Sequence, residues 1–240
     1  MCHLSRIQIV TFLTVILMSC FYQQGHTQLY RANHNFQEFQ NKPYYFGITL
    51  GTTNSRYKVF HGENFTQGVD SIAVAEGLRS PGFTVQMIAN LKIGNYFDFR
   101  FLPGFSFVER PIEFKNFNGV SRVRRIESVF FEAPFHVRYK SEPYKDKRAF
   151  IVAGLKYSYD VASNSKTRES DNLIKISPHD FQLEVGAGIQ MFFPYFIFSP
   201  EIKFSQGIGN ILIFNSELED ARIMEKILSR VLTISFHFEG

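Results

Sequence analysis

The 240-residue chain has no tryptophan and only two cysteines, Cys2 and Cys20. A chain cut after Cys20 would carry no disulfide and no thiolate chemistry. Past Phe21 no uninterrupted apolar run approaches the ~20 residues of a membrane helix, which excludes a helical membrane protein. Charge of one sign is also scarce. Lys and Arg number 26 against 22 Asp and Glu, a formal net charge of +4, and the two signs are interspersed, so there is no basic stripe for nucleic acid. The seven histidines are scattered, and no pair has the local spacing of a zinc site. "GIGN" and "GAG" lie in or beside strands and do not form a phosphate loop. No cofactor, metal, catalytic residue or small-molecule substrate is expected.

What is abundant is the aromatic strand former: 28 Phe and 11 Tyr, a composition that argues for an all-β protein. The chain opens on a leader. Arg6 precedes an apolar core from Ile7 to about Phe21, then a polar region with a plausible cleavage point near Gln28. The expected organisation is a signal peptide over residues 1–27, an N-terminal periplasmic segment over 28–42, and a barrel over 43–240. A second reading of the leader stays open, because "LMSC" loosely resembles a lipobox that would lipidate Cys20.

Period-two segments follow in series. In "YYFGITLGTT", Tyr44, Phe46, Ile48 and Leu50 share a face. "GFTVQMIANLKI" aligns Val85, Met87, Ala89 and Leu91. "YFDFRFLPGFSF" aligns Phe97, Phe99 and Phe101 against Asp98 and Arg100. "ESVFFEAPFHVRYK" sets Phe131, Ala133, Phe135 and Val137 against Glu132, His136 and Arg138. "AFIVAGLKYSYDVA" sets Ile151, Ala153 and Leu155 against Lys156 and Asp160. "DFQLEVGAGIQMF" sets Leu183, Val185 and Ala187 against Glu184. "YFIFSPEIKFSQG" sets Phe196, Phe198 and Ile202 against Glu201 and Lys203. "RVLTISFHFE" sets Ile234, Phe236 and Phe238 against His237. These make eight strands, whose links alternate between short turns and long loops. That is the construction of a transmembrane barrel with short periplasmic turns, and an even strand number returns both termini to the short-turn side.

Alternation alone does not say which face is out, since soluble eight-stranded barrels turn their apolar face inward. Three features favour an apolar outer wall. The polar faces mix glycines with balanced charges, Asp98, Glu132, Asp160, Glu184 and Glu201 against Arg100, Arg138, Lys156 and Lys203, which suits a narrow lumen filled by ion pairs. Tyrosines cluster near strand ends, where interfacial girdles belong. The chain also stops just after an alternating strand. Phe97, Phe99, Phe101, Phe131, Phe135, Phe196, Phe198 and Phe236 are therefore expected to face lipid.

Ser216 and Glu219 form a capping-box pattern before an apolar stripe, Leu218, Ala221, Met224, Ile227 and Leu228. A short helix is expected there, either resting on the barrel or docking a partner. His136 and His237 read as satisfied interior polar groups. "SRVRR" and "KSEPYKDKR" read mainly as solvated rims, the first at a height where cations could meet anionic lipopolysaccharide.

The blocks "YYFGITLGTTNSRYKVFH", "YFDFRFLPGFSFVER", "ESVFFEAPFHVRYKSEPY", "FIVAGLKYSYDVASN" and "YFIFSPEIKFSQGIGN", taken in order, resemble the PorT family of Bacteroidetes outer-membrane proteins. The resemblance covers most of the chain from Pro43 onward. It implies an integral outer-membrane barrel needed for export through the type IX secretion system and associated with gliding motility. It carries no catalytic residues. The partners it implies are outer-membrane lipid and lipopolysaccharide and other secretion components. A stand-alone outer-membrane enzyme or lipid-binding barrel is the alternative.

Overall fold

Alternating sequence of this kind can satisfy its backbone in a bilayer only by closing on itself, because an open sheet edge in hydrocarbon leaves polar groups unpaired. In the computed structural model, which describes residues 34–61, 72–116, 121–124, 127–162, 176–213 and 224–240, the strands do close. A short helix, α1 (His34–Gln40), precedes the strands β1 (Tyr44–His61), β2 (Ile72–Gly77), β3 (Ser80–Ile93), β4 (Phe97–Phe101), β5 (Gly104–Glu109) and β6 (Ile112–Asn116). They are followed by β7 (Ser121–Arg124), β8 (Glu127–Lys140), β9 (Lys147–Asp160), β10 (His179–Phe192), β11 (Ile197–Gly207) and β12 (Met224–Glu239).

The main sheet runs β1-β12-β11-β10-β9-β8-β4-β3, with β5 continuing β4, and closes through β1–β3. β4 and β5 are one stave of the barrel. Their registers against β3 (Phe101 opposite Ala89, Gly104 opposite Gln86) and against β8 (Phe101 opposite Phe135, Gly104 opposite Glu132) are continuous. The formal break falls at Leu102–Pro103, where proline has no N–H to give. Leu102 N still donates to Pro134 O, and Met87 N to Pro103 O. The result is an eight-stranded antiparallel ring.

The short connections, 94–96, 141–146 and 193–196, share one end of the ring with both ends of the barrel chain. There the Gly240 amide donates to Phe46 O. Gly94 sits at φ 75° in the first of these turns, a left-handed position that glycine accepts without cost. Beside it Tyr96 donates to a Glu142 carboxylate, and this hydrogen bond holds the phenol above its ordinary pKa. The long-loop end differs from the sequence expectation. β1 runs on to His61, and the next two loops contribute β2, β6 and β7, which pair into a separate three-stranded sheet.

The expected helix of the last long loop is corrected from Met224 onward. Met224, Ile227 and Leu228 lie on β12, with Ile227 opposite Val59 and Leu228 opposite Lys58. Leu218 and Ala221 fall outside the described residues, as does the expected signal peptide. The apolar positions at three-residue steps imitate a helix stripe, but a 16-residue strand paired with β1 along its length and with β11 from Arg230 onward outweighs local helix preference. The described helix is instead α1, in the segment before the first strand.

Candidate functional site: the filled barrel interior

Most inward-facing side chains of the ring are polar and buried, and the charged ones of its middle and short-turn end meet in one continuous network. Near the short-turn end the Arg138 guanidinium lies 2.5 Å from Asp98 Oδ2 and 3.5 Å from Glu239 Oε1. It also donates to Tyr45 Oη and, at 3.2 Å, to Asn90 Oδ1. Lys140 closes on the other Asp98 oxygen. Arg138 stands 5.2 Å from the ring of Phe150, an aromatic face presented to a cation. One layer up, Arg100 bridges Glu201 at 3.1 Å and Glu239 at 2.9 Å. Lys203 then spans Glu201 (3.8 Å) and Glu184 (3.4 Å), while Lys156 spans Glu184 (3.2 Å) and Glu132 (3.1 Å). Each carboxylate of this chain therefore has a cation, as a narrow lumen requires, because an unpaired charge out of water is costly.

Glu132, Glu184 and Glu201 thus lie within ion-pair reach of Arg100, Lys156 or Lys203. Asp160 stands apart. It is half-buried at a strand end and accepts from Ser128 Oγ at 2.8 Å and from the Ala162 amide at 3.0 Å. Glu239 is the acid that sequence reasoning missed, although β12 alternation puts it on the same face as His237 and it joins both arginines. The lumen is not wholly polar either. Ile88, Leu102, Val152 and Phe150 are buried on inward positions of β3, the β4–β5 stave and β9. Packing is close: a Cβ added to Gly154 would collide with Phe135 O and His136.

The two histidines sit inside the network. His136 Nε2 is 2.6 Å from Glu184 Oε2, the carboxylate whose other oxygen accepts from Ser205 Oγ at 2.5 Å. His237 Nδ1 is 2.7 Å from Thr49 Oγ1, and its Nε2 is 3.3 Å from Glu201 Oε2. Hydroxyl, imidazole and carboxylate are thus in sequence at Thr49–His237–Glu201. All three are sealed, with Thr49 and His237 at 0 % exposure.

Both ends of the lumen are stopped. At the short-turn end α1 lays Phe36 edge-on to Phe192, ring centres 5.1 Å apart, and buries Phe39 against Phe192 and Ile197. Asn35 donates to Phe192 O at 3.2 Å, Asp146 accepts from the Phe36 amide at 3.0 Å, and Lys92 caps the Phe39 carbonyl. At the other end Arg110 lies 5.1 Å from the Tyr57 ring and 4.6 Å from Phe130, and donates to Ser229 Oγ at 3.1 Å. Two residues of "KSEPYKDKR" leave the solvated rim: Lys140 turns inward to Asp98, and Arg148 donates to the Ser141 and Asn95 carbonyls.

The outer wall is the reverse. Phe97, Phe99, Phe135, Phe196 and Phe236 are exposed, and Phe101, Phe131 and Phe198 share the same outward parity with partial cover from neighbouring rings. Phe101 stacks on Phe135 at 4.6 Å and Phe198 on Phe236 at 6.0 Å. An apolar band around a polar, plugged interior has one compatible solvent, a lipid bilayer.

Residues 31–212 match the family model described as an outer membrane protein beta-barrel domain. The chain belongs to this family. Membership places it in the bacterial outer membrane. No curated protein sequence matches it. Among solved structures it is similar to the outer membrane protein OprG from Pseudomonas aeruginosa, at 7 % identity over 82 % of this chain and 95 % of that one, TM-score 0.48. It is also similar to Neisserial surface protein A, at 11 % identity over 80 % and 96 %, TM-score 0.43. A third is Ail, the attachment invasion locus protein of Yersinia pestis, solved with the heparin analogue sucrose octasulfate, at 12 % identity over 83 % and 100 %, TM-score 0.35.

Proposed function

We propose that the protein is a non-enzymatic outer-membrane component of the type IX secretion system, exported on a cleaved leader, and that it assembles or stabilises other components of that apparatus. The pathway, with its link to gliding motility, comes from the resemblance of five ordered sequence blocks to the PorT family. The observation that carries the mode of action is the stopped lumen. Arg100, Arg138, His136 and His237 have no exposed surface, and α1 and Arg110 close the two ends. An eight-stranded barrel so filled offers no path for cargo, so the work falls to the outer wall, the turns and the long-loop sheet. Its partners are other secretion components, and it uses no cofactor.

The order Thr49–His237–Glu201 favours a second reading, a hydrolase, because a hydroxyl, a base and an acid lie side by side. Burial argues against it, since a nucleophile must meet its substrate. The deciding experiment complements a deletion strain with a variant carrying Thr49→Val, His136→Gln and His237→Gln. Folding is scored by heat-modifiable electrophoretic mobility. The expected result is a folded protein and restored export of type IX cargo. A folded protein with export still blocked makes the hydrolase the better account.

A further inference from the structure

The polarity of the wall inverts along β1 and β12. Below the level of Asn54 and Leu232, outward residues are Phe46, Ile48, Leu50, Ile234, Phe236 and Phe238. Above it Arg56, Lys58, Arg230 and Lys226 join Phe60 and Leu228 on the outward row, while the inward positions come to include Tyr57, Ile227 and Val231, all buried. Hydrocarbon contact must end where the faces exchange. On that boundary Arg56 stands directly opposite Arg230. Arg79 follows on the other side, next in the chain to Ser80, which pairs with Ser55. The three arginines line one cleft with Asn54, Phe204 and Leu232.

Like charges directly opposite on neighbouring strands are destabilising, and arginine does not escape by losing its proton. Among the described residues no carboxylate pairs with any of the three. The contact that does exist fixes a direction: Arg230 Nε donates to Gln206 Oε1 at 2.7 Å, which commits the inner edge of the guanidinium and holds the group in place. Arg56 and Arg230 are half-buried, and Phe204 and Leu232 continue the apolar belt at the floor of the cleft. A ligand for this cleft needs a concentrated anion that guanidinium forks can grip from several sides, and a hydrocarbon body running down the wall.

We infer that Arg56, Arg79 and Arg230 form a binding site for a phosphorylated lipid headgroup of the outer leaflet. Phosphate accepts bidentate guanidinium hydrogen bonds, and its charge turns the repulsive row into a clamp. A free anion would use the arginines alone; the lipid also uses the belt beneath them.

The test is made on the full-length folded protein in dodecyl maltoside, a detergent without phosphate. Bis-phosphorylated lipid A, the same lipid dephosphorylated, and inorganic phosphate are the three probes. Wild type is expected to bind the phosphorylated lipid at least tenfold more tightly than the dephosphorylated one, and equimolar inorganic phosphate should not displace it. Combined Arg56→Gln, Arg79→Gln and Arg230→Gln should weaken binding at least tenfold, and Arg56→Gln alone at least threefold. Lys42→Gln with Lys147→Gln, at the opposite end, should leave binding unchanged. Unfolding temperature adds a signature with a change of sign: without lipid the triple variant should match or exceed wild type, and with lipid A only wild type should gain. Equal affinity of wild type and both arginine variants, equal affinity for the dephosphorylated lipid, or displacement by equimolar phosphate would each overturn the assignment. So would an unfolded triple variant beside an Arg56→Gln protein of unchanged affinity.

Discussion

The same strands are built in opposite senses in two regions. In the membrane region the outward positions are Phe, Ile and Leu, and the inward ones are ion-paired: Arg138 with Asp98, Arg100 with Glu201 and Glu239, Lys156 with Glu132 and Glu184. In the long-loop region the outward positions gain Arg56, Lys58, Lys226 and Arg230, and the buried ones gain Tyr57, Ile112, Phe130, Ile227 and Val231. A strand has no intrinsic inside. Its period of two supplies two faces, and the surrounding solvent decides which one is buried. Where lipid surrounds the ring, apolar side chains go out. Where water does, they turn in.

The largest effect should come from breaking the ion-paired region at its most connected point. Arg138→Leu removes one of the two cations on Asp98 and one partner of Glu239, and takes a hydrogen-bond donor from Tyr45 and Asn90. A loss of about 3–5 kcal/mol is expected, the cost of removing one partner from a buried ion-paired cluster. Urea unfolding in lipid vesicles measures it, and a loss under 1 kcal/mol would mean the lumen is better hydrated than the geometry implies.

Next comes the outer wall of the membrane region. The third stave runs over residues 97–109, so Phe101 is nearer its middle and Phe97 abuts the turn. Phe101→Arg should cost about 2–4 kcal/mol and Phe97→Arg about 0–1 kcal/mol, following the depth dependence of arginine in a bilayer. Equal costs at the two positions in the same vesicles would contradict the placement of the belt.

Third is the water-surrounded core. Ile227→Val deletes one buried methyl and should cost about 0.5–1.5 kcal/mol. If Ile227 belonged to a helix resting on the barrel mouth, the same change should leave the unfolding midpoint of the barrel where it is.

The smallest effect is expected at Lys58, outward in the long-loop region and 4.4 Å above the Phe60 ring. Lys58→Gln should stay within about 0.5 kcal/mol. A larger loss in the same assay would show that this wall is covered by something other than water.

Much of this was legible in the chain. Period two, eight segments, alternating link lengths and the interior placement of Asp98, Arg100, Glu132, Arg138, Lys156, Glu184, Glu201 and Lys203 follow from residue order, because a pleated strand sends odd and even positions to opposite faces whatever its partners. Glu239 was equally legible by parity. Three features were not. From Met224 onward the expected helix gave way to β12, since pairing with β1 is a tertiary gain that local spacing does not record. α1 was hidden because a seven-residue helix has little stability of its own; Phe36 and Phe39 hold it only once Phe192 and Ile197 form a mouth to cover. The arginine row needed the register most of all. Arg56, Arg79 and Arg230 are far apart in sequence, and only ring closure through β1 between β3 and β12 sets them side by side. Sequence determined which faces each strand would have. Tertiary structure decided which residues share a height, because register belongs to pairs of strands and not to any one of them.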